Sequence, residues 1–191
     1  QPRQCPFFFD ITKVKSHMDI YVANEKYDGY LRDGCVFRND VNIFDKMAAT
    51  IHYKNGVQVA YSLTTYSPYE GYRIAFNGTK GRLEAWIQES RKTSDVNYDE
   101  IVLFKNFSKR EYIHIPFGTS GHGGGDALLK DQLFLPNVDD PYCQCANSRD
   151  GALACLVGIA ARNSIATKQP VKIADLTSIS PMKKKQYKRI L

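Results

Sequence analysis

Alternation of apolar and polar residues is strongest between Met47 and Trp86. Val57, Val59, Tyr61 and Leu63 take every second position, with Gln58, Ala60, Ser62 and Thr64 between them, the pattern of a half-buried strand. Ile51 and Tyr53 run into Asn55-Gly56, a dipeptide suited to a type I′ turn, so an antiparallel hairpin is predicted. After a break at Pro68, Tyr72, Ile74 and Phe76 alternate up to a second Asn-Gly pair, with Asn77 read as a turn residue, and Leu83 and Trp86 carry a further strand beyond Gly81. Residues 88–99 form a polar, turn-rich excursion. Ile101 with Leu103, then Tyr112, Ile113 and Ile115, predict two more strands around a basic loop at residues 105–110.

The flanks read differently. Residues 1–28 have no clean period and carry an apolar cluster, Cys5-Pro6-Phe7-Phe8-Phe9; Asp28-Gly29 and Asp33-Gly34 are turn signals, and residues 35–37 predict a short strand. Asp126 is placed to cap a helix DALLKDQLF with Leu128, Leu129 and Leu133 on one face. Ser148 is the expected N-cap of a second helix, in which Leu153, Leu156, Val157, Ala160 and Ile165 recur at helical spacing and which Pro170 stops; Val171 and Ile173 predict a last short strand. Strands followed by helices imply an α+β domain: a largely antiparallel, open-faced sheet with helices packed on one face.

The 191 residues suit one core, with 43% hydrophobic and 24% charged residues, and no apolar run approaches the roughly 20 residues of a membrane helix. The chain opens on Gln1 with no signal-peptide pattern and its first Met is Met18, so it is expected to be cut from something longer. Of the net +6, Lys183, Lys184, Lys185, Lys188 and Arg189 supply five charges near the C-terminus, leaving the body nearly neutral. No aromatic-plus-basic RNA-binding signature interleaves with that cluster, so nucleic acid is not expected as a partner, and without an apolar run of membrane length neither is a membrane. The five cysteines, an odd set, fit a reducing compartment better than a disulfide framework, so a cytoplasmic location is expected, with a periplasmic or secreted one left open. Cys155 reads as a small hydrophobe in its helix. Cys143-x-Cys145 has no His partners nearby, and no metal is expected.

Candidate chemistry centres on residues 118–126, GTSGHGGGD. Its glycines allow close backbone approach, and His122 beside them is placed for hydrogen bonding or proton transfer near neutral pH; His17, His52 and His114 have no such setting. Neither GxxxxGK[ST] nor a GxGxxG in dinucleotide-binding order occurs, so no cofactor site is expected within these residues. Arg32, Asp33 and Tyr66 join His122 and Asp126 as substrate-binding candidates because polar groups cluster near predicted strand ends. Asn77-Gly-Thr and Asn106-Phe-Ser are formal glycosylation sequons.

Three motifs in order, SPYEGYRIAFNGTKGRLE, SGHGGGD and SRDGALACLVGIAARNSIATKQPVKIADL, resemble the C-terminal domain of the Gfo/Idh/MocA family of glucose-fructose oxidoreductases and inositol dehydrogenases. The resemblance divides the chain into an N-terminal extension or remnant at residues 1–26, the family domain at 27–176 and a basic tail at 177–191. It implies a bacterial enzyme of carbohydrate metabolism whose N-terminal Rossmann domain binds NAD or NADP. The domain here would supply part of a sugar or cyclitol pocket and make homo-oligomer contacts through its sheet face. The main acid–base groups, a Glu-Lys-Pro lysine and a histidine, would lie before Gln1, so no catalytic residue is assigned within this chain and the fragment alone is expected to be inactive. His122 and its glycines match the motif bordering the pocket, and Asp126 its last position. The same loop is similar to that of NAD-dependent α-N-acetylgalactosaminidases in the family, which is the alternative, beside a non-catalytic sugar-binding or assembly module.

Overall fold

The computed structural model describes residues 4–89, 96–118, 121–136 and 138–179. The basic cluster near the C-terminus and residues 90–95 of the polar excursion lie outside the described residues. The chain divides into two compact units, Gln1–Met47 and Ala48–Leu191.

In the first unit the aperiodic sequence forms short helices, α1 (Lys15–Ile20) and α2 (Glu25–Asp28). Gly29, at φ 69°, takes the left-handed position that ends α2, which is what the Asp-Gly signal encodes. No strand forms at residues 35–37, where the chain is a succession of turns. Aromatic rings hold this unit together: Phe7 meets Phe37 at 5.1 Å, and Phe9, His17, Tyr21 and Tyr30 form a ladder with centroid spacings of 5.7, 5.7 and 6.0 Å. Ile11 is buried, at 6% exposure.

The second unit carries six strands: β1 (Lys46–His52), β2 (Gln58–Thr64), β3 (Gly71–Gly78), β4 (Gly81–Gln88), β5 (Tyr98–Lys105) and β6 (Arg110–Pro116). β1 and β2 form a two-stranded sheet, and β3 to β6 an antiparallel meander in sequence order. Both predicted Asn-Gly turns differ in detail. In the first, Gly56 has φ 88° and its N–H bonds to the Tyr53 carbonyl at 2.9 Å, while Asn55 keeps a negative φ. The loop is therefore a type I turn closed by a left-handed glycine, not a type I′ turn. In the second, Asn77 and Gly78 stay in β3 and the turn falls on Thr79 and Lys80; Asn77 accepts a 2.7 Å bond from Arg82, its cross-strand partner.

Register sorts the meander into two unlike faces. Ile74, Ala85, Ile101 and Ile113 are directly opposed across all four strands, with Phe76, Leu83 and Leu103 beside them. The other face carries Arg73 opposite Trp86, Glu84 opposite Val102, and Glu100 opposite His114. Leu83 and Trp86, three residues apart, thus lie on opposite faces. Ile74, Phe76, Ile113 and Ile115 remain exposed, as do Val57, Val59 and Tyr61 of the first hairpin, so the expected half-burial of these strands is not reached. Covering such side chains is worth about 1.5–3 kcal/mol each.

Two helices follow, α3 (Gly125–Phe134) and α4 (Ser148–Thr167), which complete the α+β class expected from the strand and helix order. The N-cap of α4 is Asn147 rather than Ser148: its side chain accepts from the N–H groups of Arg149 and Asp150 at 3.0 Å each, and the Asp150 carboxylate accepts from the Asn147 N–H at 3.1 Å. This reciprocal box satisfies three N–H groups that the helix leaves open. The predicted face of α4 is its more buried one, with Ala160 at 8% exposure, whereas Ile165 and Cys155 are exposed, so Cys155 is not a packed hydrophobe. Val171 and Ile173 form no strand; Ile173–Asp175 is a 3-10 turn.

One turn is built against local preference. Between β5 and β6, the Ser108 N–H bonds to the Lys105 carbonyl at 3.2 Å, and Phe107 at its third position has φ 58°. A residue with a Cβ there costs about 1–2 kcal/mol relative to glycine. The cap assignment is checked by chemical denaturation: Asn147→Ala should lower stability by about 1 kcal/mol, and Ser148→Ala by no more than a few tenths.

Candidate functional site

The loop before α3 folds back on itself. Gly118 lies so close to the Gly123 carbonyl that a Cβ would overlap it, and a Cβ on Gly121 would overlap the Asp126 carboxylate. Between these contacts His122 (φ 50°, ψ 46°), Gly123 (φ 64°) and Gly124 (φ 97°) are all left-handed. Histidine tolerates this region better than most residues but still at a cost, which marks the loop as a place where local strain is retained.

The strained turn brings His122 Nδ1 within 2.9 Å of Asp126 Oδ1. An ionised carboxylate only accepts hydrogen bonds, so Nδ1 carries the proton and donates it. The outer nitrogen, Nε2, is then an acceptor on a side chain that is 84% exposed. A carboxylate behind an imidazole fixes its tautomer and orientation.

Asp126 thereby serves another purpose than the capping expected of it. The N-cap of α3 is Gly124, with no side-chain capping bond, and Asp126 sits one residue inside the first turn, where its charge still complements the helix dipole. That same charge occupies the position at which a pyrophosphate would meet a glycine-rich loop and helix N-terminus. These residues do not fit the phosphates of a dinucleotide.

The other candidates belong to other segments of the chain. Arg32 belongs to the N-terminal unit, where its guanidinium lies 4.8 Å from the Tyr21 ring centroid and donates to the Tyr30 hydroxyl at 3.4 Å. The Tyr30 hydrogen bond raises the Arg32 pKa above its ordinary value. Asp33 is exposed beside it, and Tyr66 is exposed in the loop after β2.

Two groupings escape the sequence pattern. His114 donates from Nε2 to the Glu100 carboxylate across β5 and β6 at 3.2 Å and stacks on Tyr98 at 4.0 Å, a setting that its isolated position in the chain does not reveal. Pairing Phe104 with Arg110 would have placed Glu100 opposite His114, so the signal was the hairpin register. On the same face, a shallow cavity of about 470 Å³ is lined by Arg73, Arg82, Glu84, Trp86, Glu100 and Val102. Arg73 covers the Trp86 ring at 4.5 Å and Tyr69 packs edge-on at 5.9 Å, so this indole is occupied by its own neighbours. Among the described residues, no cluster of three metal-ligating side chains occurs, and no helix is long and apolar enough to cross a membrane.

Comparison with known proteins bears on these residues. The profile described as "Oxidoreductase family, C-terminal alpha/beta domain" matches residues 10–173. "Putative oxidoreductase YteT" from Bacillus subtilis (strain 168) is 33% identical over 165 residues, which cover 84% of this chain and 38% of that protein. The chain thus spans about two fifths of the length of this curated relative. No solved structure matches it.

The dyad is checked by nitrogen NMR of the imidazoles. In alkaline solution the His122 ring should sit in the tautomer protonated at Nδ1, and Asp126→Asn should remove that preference; a ring already protonated at Nε2 would exclude the arrangement.

Proposed function

The chain belongs to the Gfo/Idh/MocA oxidoreductase family, as its C-terminal α/β domain, and from that premise we propose that it forms the substrate side of an enzyme oxidising a sugar or cyclitol hydroxyl. The observation that carries the reading is the His122–Asp126 pair. Its Nε2 faces outward from a loop whose glycines let a ligand approach the backbone closely.

Oxidising a secondary alcohol requires the hydroxyl proton and the hydride on carbon to leave toward different acceptors. In this reading the lysine or histidine of the whole protein takes the proton, and His122 Nε2 accepts a hydrogen bond from a substrate hydroxyl, orients it and tunes its proton transfer. The family is dinucleotide-dependent in general, and NAD or NADP would be held by a Rossmann domain of the whole protein. The sheet contributes to assembly in this reading. Its charged face presents Arg73 and Arg82 with Glu84 and Glu100, so two copies related by a twofold axis can set opposite charges together.

The enzymatic reading is tested on the full-length protein with a panel of sugars and cyclitols and either NAD or NADP, followed at the nicotinamide absorbance. His122→Ala should lower kcat/KM by about a hundredfold with little change in Tm. Unchanged turnover would remove His122 from the site, and loss of folding would make the loop structural. Release of free sugar without net nicotinamide reduction would favour the glycosidase reading. For assembly, sedimentation velocity should give a dimer or larger species that Glu100→Arg dissociates.

A further inference from the structure

The turns joining β3 to β4 and β5 to β6 form one end of the meander and are stapled to each other. Asn106 donates its side-chain amide to the Thr79 carbonyl at 2.9 Å, and its N–H to the Lys80 carbonyl at 3.2 Å. Asn106 is thus committed to holding the tip, which also leaves its sequon amide engaged. Phe107 stands at the apex with 109% exposure, in the left-handed conformation that a glycine would adopt more easily.

Phe107 therefore contributes neither packing nor backbone preference to the fold. Its surroundings are charged in one sense. Lys80 in the first turn, Lys109 in the second and Arg110 at the start of β6 are exposed, and Lys105 is paired with Glu111 at 2.6 Å. A fully exposed ring flanked in the same pair of turns by exposed cations suits an anionic surface with an apolar interior: the ring enters the apolar layer while the ammonium and guanidinium groups meet phosphates.

We propose that this tip is a membrane-surface contact that selects bilayers rich in anionic phospholipid. It requires no membrane-spanning segment, and its chemistry is separate from the His122 loop. Contact is peripheral and salt-sensitive, because each exposed cation adds about fivefold to partitioning and the ring about tenfold.

The experiment measures sedimentation of the chain with vesicles of phosphatidylcholine alone or with about one third phosphatidylserine. Binding should appear only with the anionic lipid and fall as salt rises. Phe107→Gly, which relieves the positive φ and so retains or raises stability, should weaken it about tenfold; Lys109→Glu should weaken it more than fivefold. The Lys183 to Arg189 cluster is intact in both variants. Binding that Phe107→Gly leaves unchanged therefore belongs to the tail and overturns the proposal. Absence of binding overturns it, as does equal binding to neutral vesicles or a preference for an acidic protein such as poly-glutamate over the vesicles.

Discussion

The second unit depends on the antiparallel register of β3 to β6. Pairing Ile74 with Ala85, Ala85 with Ile101 and Ile101 with Ile113 lines one apolar row across four strands. A slip of one residue in any pair would turn that strand over and place Arg73, Glu84 or Glu100 among the isoleucines. The same register sets Arg73 on Trp86 and Glu100 against His114, so neither grouping exists apart from it. It also aligns two turns closely enough for Asn106 to join them.

The loop before α3 illustrates a trade between helix stability and chemistry. An aspartate at a helix start usually closes the free N–H groups, and Asp126 is within reach of that role. Its carboxylate instead bonds to His122, and the start of α3 is left to Gly124 without a side-chain cap. His122 in turn accepts a left-handed backbone. Two local costs are thus carried by one contact, and that contact fixes which imidazole nitrogen faces out. By comparison α4, which carries no such pair, starts with a complete capping box on Asn147 and Asp150.

The strands themselves were legible. Alternation in Tyr72, Ile74 and Phe76, in Ile101 and Leu103, and in Ile113 and Ile115 reflects a period that the backbone imposes locally, and each run became a strand. The helix containing Leu153, Leu156, Val157 and Ala160 followed in the same way, the order of elements announced the α+β class, and the resemblance of three motifs pointed to the oxidoreductase family domain. Turn placement was less legible: Asn-Gly pairs permit several turns, and the hydrogen bonds of the flanking strands chose among them at Gly56 and at Thr79-Lys80. The short strands expected at residues 35–37 and at Val171 failed because a few β-branched or apolar residues without a neighbouring edge have no partner for their backbone groups.

By itself, then, the sequence determined what depends on neighbours in the chain: which segments are extended, which are helical, and that a histidine sits among glycines ahead of a helix. Tertiary structure decided what depends on approach between distant or backbone-constrained groups. It took Asp126 from capping to orienting His122, paired Glu100 with His114 across a hairpin, and kept Asn77 in a strand as the acceptor for Arg82. The physical reason is common to all three. A polar side chain goes to the partner that the folded backbone brings within hydrogen-bonding distance, and that distance is set by register and loop closure rather than by residue type.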